Sequence, residues 1–301
     1  MRRDALALAC ALDVVLGDPP GWPHPVRAFG ALIAAVDRRR DAHAAPADAL
    51  LHGAVLTGAL VAASVVVGRL VERRCTALAI VLGASTLAAR SLDDAVAAVQ
   101  RSLEDGDLVA ARRALAAIVG RDVAHLQEAE IAAAALESLA ESFCDGVVAP
   151  LLWLRLGGVG GALAFKAIST LDSMIGHREP PYTWFGRAAA RADDAANFVP
   201  ARIAAAAIAL AAGARGAAAL RVALRDAPRH ASPNGGWPEA ALAGALGVRL
   251  GGEAWYDGLR AERAVLHAAG RAPCAGDLAH GRILIACAAM AVTLAAIGSA
   301  R

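Results

Sequence analysis

Lysine is almost missing from this chain. Lys166 is the single lysine in 301 residues, and arginine carries the rest of the positive charge. A GC-rich genome produces that replacement, which singles out the one position where an ammonium was kept. Charge of either sign is scarce, at 19% of residues against about 25% in an average soluble domain. The net charge of +2 provides no basic field to recruit nucleic acid, so no nucleic-acid partner is expected. Cysteine pairing is lacking too. Cys10, Cys75, Cys144, Cys274 and Cys287 contain no C-x-x-C spacing, which excludes a zinc or dithiol site of that type and reads as reduced, structural thiols. There is no alternating strand pattern of any length and no internal repeat, so the fold class is all-α. No glycine-rich loop follows a strand, which excludes Rossmann and Walker-type phosphate loops. Arg2 and Arg3 precede an apolar stretch, but Asp13 interrupts it and no small-residue cleavage site follows. A membrane anchor or a buried first helix is expected there rather than a signal peptide.

Apolar residues fill the space left by charge. They make up 57% of the chain, and mean hydropathy is +0.48. Alanine, a strong helix former, supplies about a quarter of all residues. Position along the chain separates helix from lipid. The clearest membrane segment is Leu50 to Val71, long enough for a hydrocarbon core of about 30 Å. Cys75 to Ala89 follows as the candidate return arm of a hairpin. Val147 to Ile168 carries Arg155, glycines and Lys166, and suits a buried or re-entrant element lining a polar cavity. Phe198 to Ala214 and Ile283 to Ser299 complete about five membrane-associated segments. Arginines do not alternate between loops, so orientation is not fixed by the positive-inside rule.

Two polar stretches lie between these segments, at about 90–146 and 215–282, and are expected as helical insertions in a single 1–301 membrane domain. In the first, Leu92, Val96, Val99 and Leu103 recur at helical spacing. Asp107 is placed to cap a second helix, and Asp122 a third that runs to about Phe143.

The polar residues fall into clusters. Glu130, Glu137, Glu141 and Asp145 share one helical stripe at 3.6 residues per turn. That stripe is either a solvated face or, at a membrane boundary, a set of oxygen ligands for Mg2+. Leu163 to Arg202 gathers Lys166, Asp172, Arg178, Arg187, Arg191, Asp193, Asp194, Asn197 and Arg202. This mix suits a phosphorylated ligand with a metal; its alternative is arginines anchoring helix ends. The DDAAN string resembles one of the two Asp-rich motifs of membrane prenyltransferases, but no second motif is found. Two Pro/Gly-rich segments, Leu12 to Gly30 and His230 to Gly252, fix shaped loops that carry His24, Arg27, Ser232, Asn234 and Glu239.

Taken together, these strings resemble the CobD/CbiB family, the adenosylcobinamide-phosphate synthases of cobalamin biosynthesis. The resemblance is carried by LDVVLGDP with PHPVRAFG, ARSLDDA, GDLVAARRALAAIVGRD, ESLAESFCDGVVAPLLW, FKAISTLDSMIG with FGRAAARADDAANFVPAR, and SPNGGWPEAALAGAL. Ser142 and Ser169 stand where asparagine is expected, and His177 where tyrosine is expected. The resemblance implies a multi-pass enzyme of the bacterial inner membrane, in contact with lipid and with other membrane enzymes of the corrinoid pathway. It would join adenosylcobyric acid, through the f propionate, to aminopropanol or aminopropanol phosphate, using ATP and Mg2+. On that reading Glu137, Glu141, Asp145, Lys166 and Asp172 are catalytic. Arg121, Arg187 and Arg191 bind phosphate with Lys166, while His24, Arg27, Ser232, Asn234 and Glu239 line the corrin or amine pocket. Glu141, Asp145, Asp172, Asp193 and Asp194 are the candidate metal ligands. Competing readings are a membrane prenyltransferase, a non-enzymatic sensor similar to the AmpE group, and a scaffold for neighbouring pathway enzymes.

Overall fold

The computed structural model describes residues 1–19, 21, 24–41, 43–177 and 179–299. Arg178, one of the cations singled out above, lies outside the described residues, as do Pro20, Trp22 and Pro23 of the first Pro/Gly-rich segment. In chain order the helices are α1 (Arg3–Leu16), α2 (Pro25–Asp37), α3 (Pro46–Arg74), α4 (Thr76–Ala84), α5 (Ala89–Glu104), α6 (Leu108–Ala116) and α7 (Glu128–Phe143). A π-helical turn, Cys144–Val148, leads into α8 (Ala149–Ile175). Then come α9 (Arg187–Ala211), α10 (Gly216–Asp226), α11 (Gly236–Leu246), the strands β1 (Glu253–Tyr256) and β2 (Leu259–Glu262), and α12 (Ala275–Gly298).

The expected all-α class holds, with one addition. β1 and β2 pair antiparallel, Glu253 opposite Glu262 and Tyr256 opposite Leu259. Asp257 and Gly258, both at positive φ, make the two-residue turn. Strands this short leave too few residues for an alternating pattern to register in the sequence.

Among the described residues, four helical stretches are long and apolar enough to cross a membrane: Pro46–Arg74, Glu128–Ile175, Arg187–Ala211 and Ala275–Gly298. Four of the five expected membrane-associated segments overlap these stretches. The stretch Cys75 to Ala89 forms only the nine residues of α4, about 13 Å at the α-helical rise, less than half a hydrocarbon core.

The chain divides into two compact units. The first comprises residues 1–88, 149–197 and 295–301; the second comprises 89–148 and 198–294. Both polar stretches expected from the sequence fall in the second unit.

In the first unit, α3 and α8 approach closely enough that a Cβ on Gly68 would sit 2.2 Å from the backbone nitrogen of Gly160. Beside that contact α8 is broken at Gly158, with φ 63° and ψ −160°. A side chain there would be strained, and a carboxylate occupies the space a Cβ would need. That carboxylate belongs to Glu72, which accepts the Val159 N–H at 2.9 Å and so caps the second half of α8. A smaller core of Ile33, Leu60, Leu171, Ile175 and Phe185 fixes the end of α8 against α2 and α3.

The second unit is built on alanine. Its core packs Val96, Val99, Leu103, Ile131, Leu136, Leu139 and Phe143 with alanines of α7, α9, α10 and α11. The helical spacing read from α5 is borne out, since Val96, Val99 and Leu103 are buried. Asp107 caps α6 as expected, accepting the Ala110 N–H at 2.9 Å. Asp122 does not cap α7. It accepts the Gly258 N–H at 2.8 Å and donates its own N–H to the Trp255 carbonyl, and so holds the hairpin. α7 starts later, at Glu128, with a capping box between Gln127 and Glu130.

Candidate active site

The acidic stripe on α7 separates into different roles. Glu130 is spent on the cap, accepting the Gln127 N–H at 2.7 Å. Glu137 faces inward, with its side chain 2% exposed. Two guanidiniums hold it: Arg121 donates to Oε2, and so does Arg263. The Gly251 N–H donates to Oε1 at 2.7 Å. A buried carboxylate needs such pairing, because desolvation alone would cost several kcal/mol per ion.

Arg263 also reaches a second buried acid. Its Nη2 lies 3.7 Å from Oε2 of Glu239, the first-turn acid of α11. Oε1 of Glu239 lies 3.6 Å from Nε2 of His230. Oε2 of Glu239 makes no hydrogen bond. Burial, together with the charges of Glu137 and Glu141, pushes the Glu239 carboxyl well above the usual carboxylate range, against the pull of Arg263. Burial and the Arg263 charge hold His230 below the ordinary imidazole value.

The turn before α11 orders these groups. The Ser232 N–H donates to Nδ1 of His230 at 3.1 Å. Ser232 Oγ accepts the N–H groups of Asn234 and Gly235, each at 3.2 Å. Arg202 on α9 donates to Asn234 Oδ1 at 2.9 Å. Its guanidinium stacks over Phe198 and Trp237, with 3.7 Å and 4.7 Å to the ring centroids. Thus Arg121, Glu137, Glu239, Ser232 and Asn234 meet in one network of the second unit. Asp145 belongs to the same unit, in the π-helical turn.

Glu141, exposed on α7, also lies in the second unit, and the remaining described candidates lie in the first unit. Asp172 on α8 and Asp194 on α9 are near enough for their charges to interact. Asn197 on α9 is buried, at 2% exposure. Its Nδ2 donates to Asp193 Oδ2 at 3.1 Å, and its Oδ1 makes no hydrogen bond. Lys166 sits on α8, half-buried, with Nζ 6.0 Å from the Phe165 ring centroid. Arg187 and Arg191 are exposed on the first turns of α9, Arg187 lying 5.2 Å over the Trp184 ring. His24 caps α2 by accepting the Val26 N–H at 3.2 Å, and its Nε2 lies 3.3 Å from Asp18. Arg27 is exposed on the first turn of α2. Among the described residues, no three His, Cys, Asp or Glu side chains converge at metal-binding geometry.

Sequence reasoning missed Arg263 and Gly251. Both lie in the irregular stretch around the hairpin, where neither periodicity nor a known spacing marks them. It also missed Asp226, a buried acid on α10 that accepts two hydrogen bonds from Arg225 and the His267 N–H at 2.8 Å. His267 has φ 54°, so Asp226 pins a strained backbone position.

Arg121, Glu137, Arg202, Ser232, Asn234 and Glu239 of the network lie in four of the strings quoted above, while Arg263 and Gly251 lie outside them. The family model for the CobD/CbiB protein matches residues 6–285. The chain belongs to the CobD/CbiB family. It is 44% identical over 278 residues to the cobalamin biosynthesis protein CobD of Klebsiella pneumoniae, covering 86% of this chain and 85% of that protein. It is 42% identical over 303 residues to CobD of Rhodobacter capsulatus, covering 96% and 94%. With CbiB of Salmonella choleraesuis it shares 41% over 271 residues, covering 86% and 85%. No solved structure matches.

Proposed function

We propose that this CobD/CbiB protein is the ATP-dependent ligase that joins adenosylcobyric acid, through its f propionate, to aminopropanol or aminopropanol phosphate. A role in cobalamin biosynthesis follows from the family; the ligation is the finer reading. The observation that carries it is the 41–44% identity to CobD and CbiB proteins over most of the chain, joined with a buried network of acids and guanidiniums in which Arg121, Glu137 and Glu239 come from the strings that carry the resemblance.

Amide formation from a free carboxylate needs activation, because a carboxylate does not acylate an amine at neutral pH. Bound ATP with Mg2+ would supply that activation by phosphorylating the carboxylate. The first unit offers a set of groups that fits them. Mg2+ takes hard oxygen ligands, usually one or two carboxylates, and keeps several waters. Asp193, Asp194 and Asp172 offer carboxylates, and the buried Asn197 Oδ1 is an oxygen without a hydrogen-bond donor. Because no three such side chains converge among the described residues, Mg2+ would take at most two of these carboxylates and complete its shell with water and phosphate oxygens; we assign the phosphates to Lys166, Arg187 and Arg191, whose cations suit a polyanion.

The second unit has different chemistry. Arg121 and Arg263 neutralise Glu137 and make it a fixed support, while Glu239 retains an oxygen without a hydrogen bond. We assign this unit to the amine substrate. The enzyme is placed in the bacterial inner membrane, where the four apolar helical stretches would span the bilayer.

The test is direct. Purified protein in detergent or nanodiscs is incubated with adenosylcobyric acid, ATP, Mg2+ and either amine, and the amide is sought by mass spectrometry. Product with at least one amine is expected, and none when ATP is omitted. Absence of product with both amines in folded protein refutes the assignment.

A further inference from the structure

We propose that Arg202 is a positioning residue for the turn before α11: it clamps Pro233 and Asn234 to α9 and, through Ser232, holds His230 in the tautomer that turns an N–H toward Glu239. That this turn serves the amine substrate rests on the ligase reading. The clamp itself rests on contacts within the second unit.

Three acceptors converge on one guanidinium. Arg202 Nη1 donates to the Phe198 carbonyl at 2.8 Å and to Asn234 Oδ1 at 2.9 Å. Nη2 donates to the Pro233 carbonyl at 3.2 Å. The first contact ties the side chain to its own helix, one turn back. The other two reach 32 and 31 residues along the chain. Arg202 lies inside α9, away from both ends, so it does not anchor a helix terminus. The ring faces of Phe198 and Trp237, 3.7 Å and 4.7 Å away, fix the plane of the guanidinium. A planar fork that stacks and donates to several acceptors has no equivalent in lysine.

The clamped turn selects a tautomer. Nδ1 of His230 lies 3.1 Å from the Ser232 nitrogen and 3.3 Å from the Ser232 carbonyl oxygen. The N–H can only donate and the carbonyl can only accept. With the nearer N–H as partner, Nδ1 accepts and the ring hydrogen sits on Nε2, 3.6 Å from Glu239 Oε1. With the carbonyl as partner, the hydrogen moves to Nδ1, and Nε2 presents a lone pair to a buried acid. A small shift of the turn exchanges the two. Ser232 is held through Asn234, whose N–H its Oγ accepts at 3.2 Å, and Arg202 grips the side chain of the same Asn234. Arg263 approaches the other oxygen of Glu239, Oε2, at 3.7 Å, which leaves Oε1 to His230. Burial and the Arg263 charge favour the neutral imidazole, so the turn sets the tautomer and not the charge.

Arg202→Ala and Arg202→Lys test the clamp in full-length protein in nanodiscs. Nitrogen NMR of isotope-labelled histidine, with His230→Gln identifying the resonance, reads the tautomer without substrate. Wild type should carry the hydrogen on Nε2, and both variants should move it wholly or partly to Nδ1. Methylguanidinium added to Arg202→Ala should occupy the place against Phe198 and Trp237 and restore the wild-type spectrum; methylammonium should not. In the amide-forming assay the KM for the amine should rise about 10-fold, the change expected when the competent turn falls to about a tenth of the population. The KM for ATP should stay unchanged, and methylguanidinium should reverse the rise. An arginine that only stabilised the fold would lower the melting temperature and leave the folded protein with the wild-type tautomer and amine KM.

If Arg202→Ala does not fold, Arg202→Lys carries the tautomer and KM readouts. Where wild type makes the amide, both the tautomer and the amine KM must respond; a response of one alone, or of neither, overturns the proposal and leaves the ligase reading standing. A wild-type hydrogen on Nδ1 overturns it as well. If wild type makes no amide but the variants shift the tautomer and methylguanidinium restores it, the ligase reading fails and the clamp stands.

Discussion

Arg263→Met tests whether the second unit depends on its buried charge network. The guanidinium bonds Glu137, whose side chain is 2% exposed, and lies 3.7 Å from Glu239, at 1% exposure. Removing one partner from a buried ion pair costs about 3–5 kcal/mol, because the surviving charge stays desolvated. Arg121 and the Gly251 N–H remain on Glu137, so the lower end, about 3 kcal/mol, is expected. In a unit of this size each kcal/mol moves the melting temperature by roughly 2–4 °C, which gives a loss of roughly 6–12 °C. Circular dichroism of detergent-solubilised protein, heated in the presence and absence of substrate, reads this directly. The companion variant Arg263→Met with Glu137→Gln separates charge from packing. Glutamine keeps an acceptor for Arg121 and the Gly251 N–H but carries no charge needing a second cation. The double variant should therefore be more stable than the sum of the two single losses by at least about 1 kcal/mol. A single variant within about 0.5 kcal/mol of wild type, or strict additivity, would refute a network in which Arg263 neutralises Glu137.

Two further outcomes follow from other contacts. Gly68→Ala drives a methyl to within 2.2 Å of the Gly160 nitrogen, so it should cost at least about 1–3 kcal/mol by overpacking α3 against α8. Gly58→Ala on the same helix meets nothing within 4 Å and should be neutral or slightly stabilising in the same thermal assay. Asp226 governs acid sensitivity. The Arg225 hydrogen bond and the His267 N–H hold its carboxyl below the ordinary value, although burial opposes them. Its contribution is therefore complete above about pH 4, the unfolded-state value, and is lost as pH falls through the lower folded-state value. Asp226→Asn should flatten the stability curve in that acid range; an unchanged acid limb would contradict the assignment.

The parts of the fold legible in the sequence were those with a one-sided pattern. Val96, Val99 and Leu103 mark the buried face of α5 because the opposite face is charged. Leu50 to Val71 reads as a span because its length alone matches a bilayer. α11 offers no such signal. Gly236 to Ala245 is buried almost all round, so its pattern has no period, and only the SPNGGWPEA string marked it. Alanine hides burial in the same way, since it is equally at home on either side of a helix. The segment Cys75 to Ala89 runs past the end of α4 because Leu87, Ala88 and Ala89 resume the apolar composition after the turn at Ser85 and Thr86.

The site divides along a similar line. Glu130, Glu137 and Glu141 recur at helical spacing along α7, with Asp145 beyond its end in the π-helical turn, but periodicity reports direction and not what lies there. Glu130 meets its own helix end, Glu137 meets two guanidiniums, and Glu141 is exposed with its charge acting on Glu239. What separates these three is supplied by distant segments. Arg263 is 126 residues from Glu137, and it comes from a stretch whose hairpin is fixed by Asp122, a residue that sequence spacing assigned to a helix cap. The same residue types would read identically if that hairpin were displaced. Local pattern can therefore name the acids, whereas their roles depend on a long-range fold contact that no spacing rule encodes.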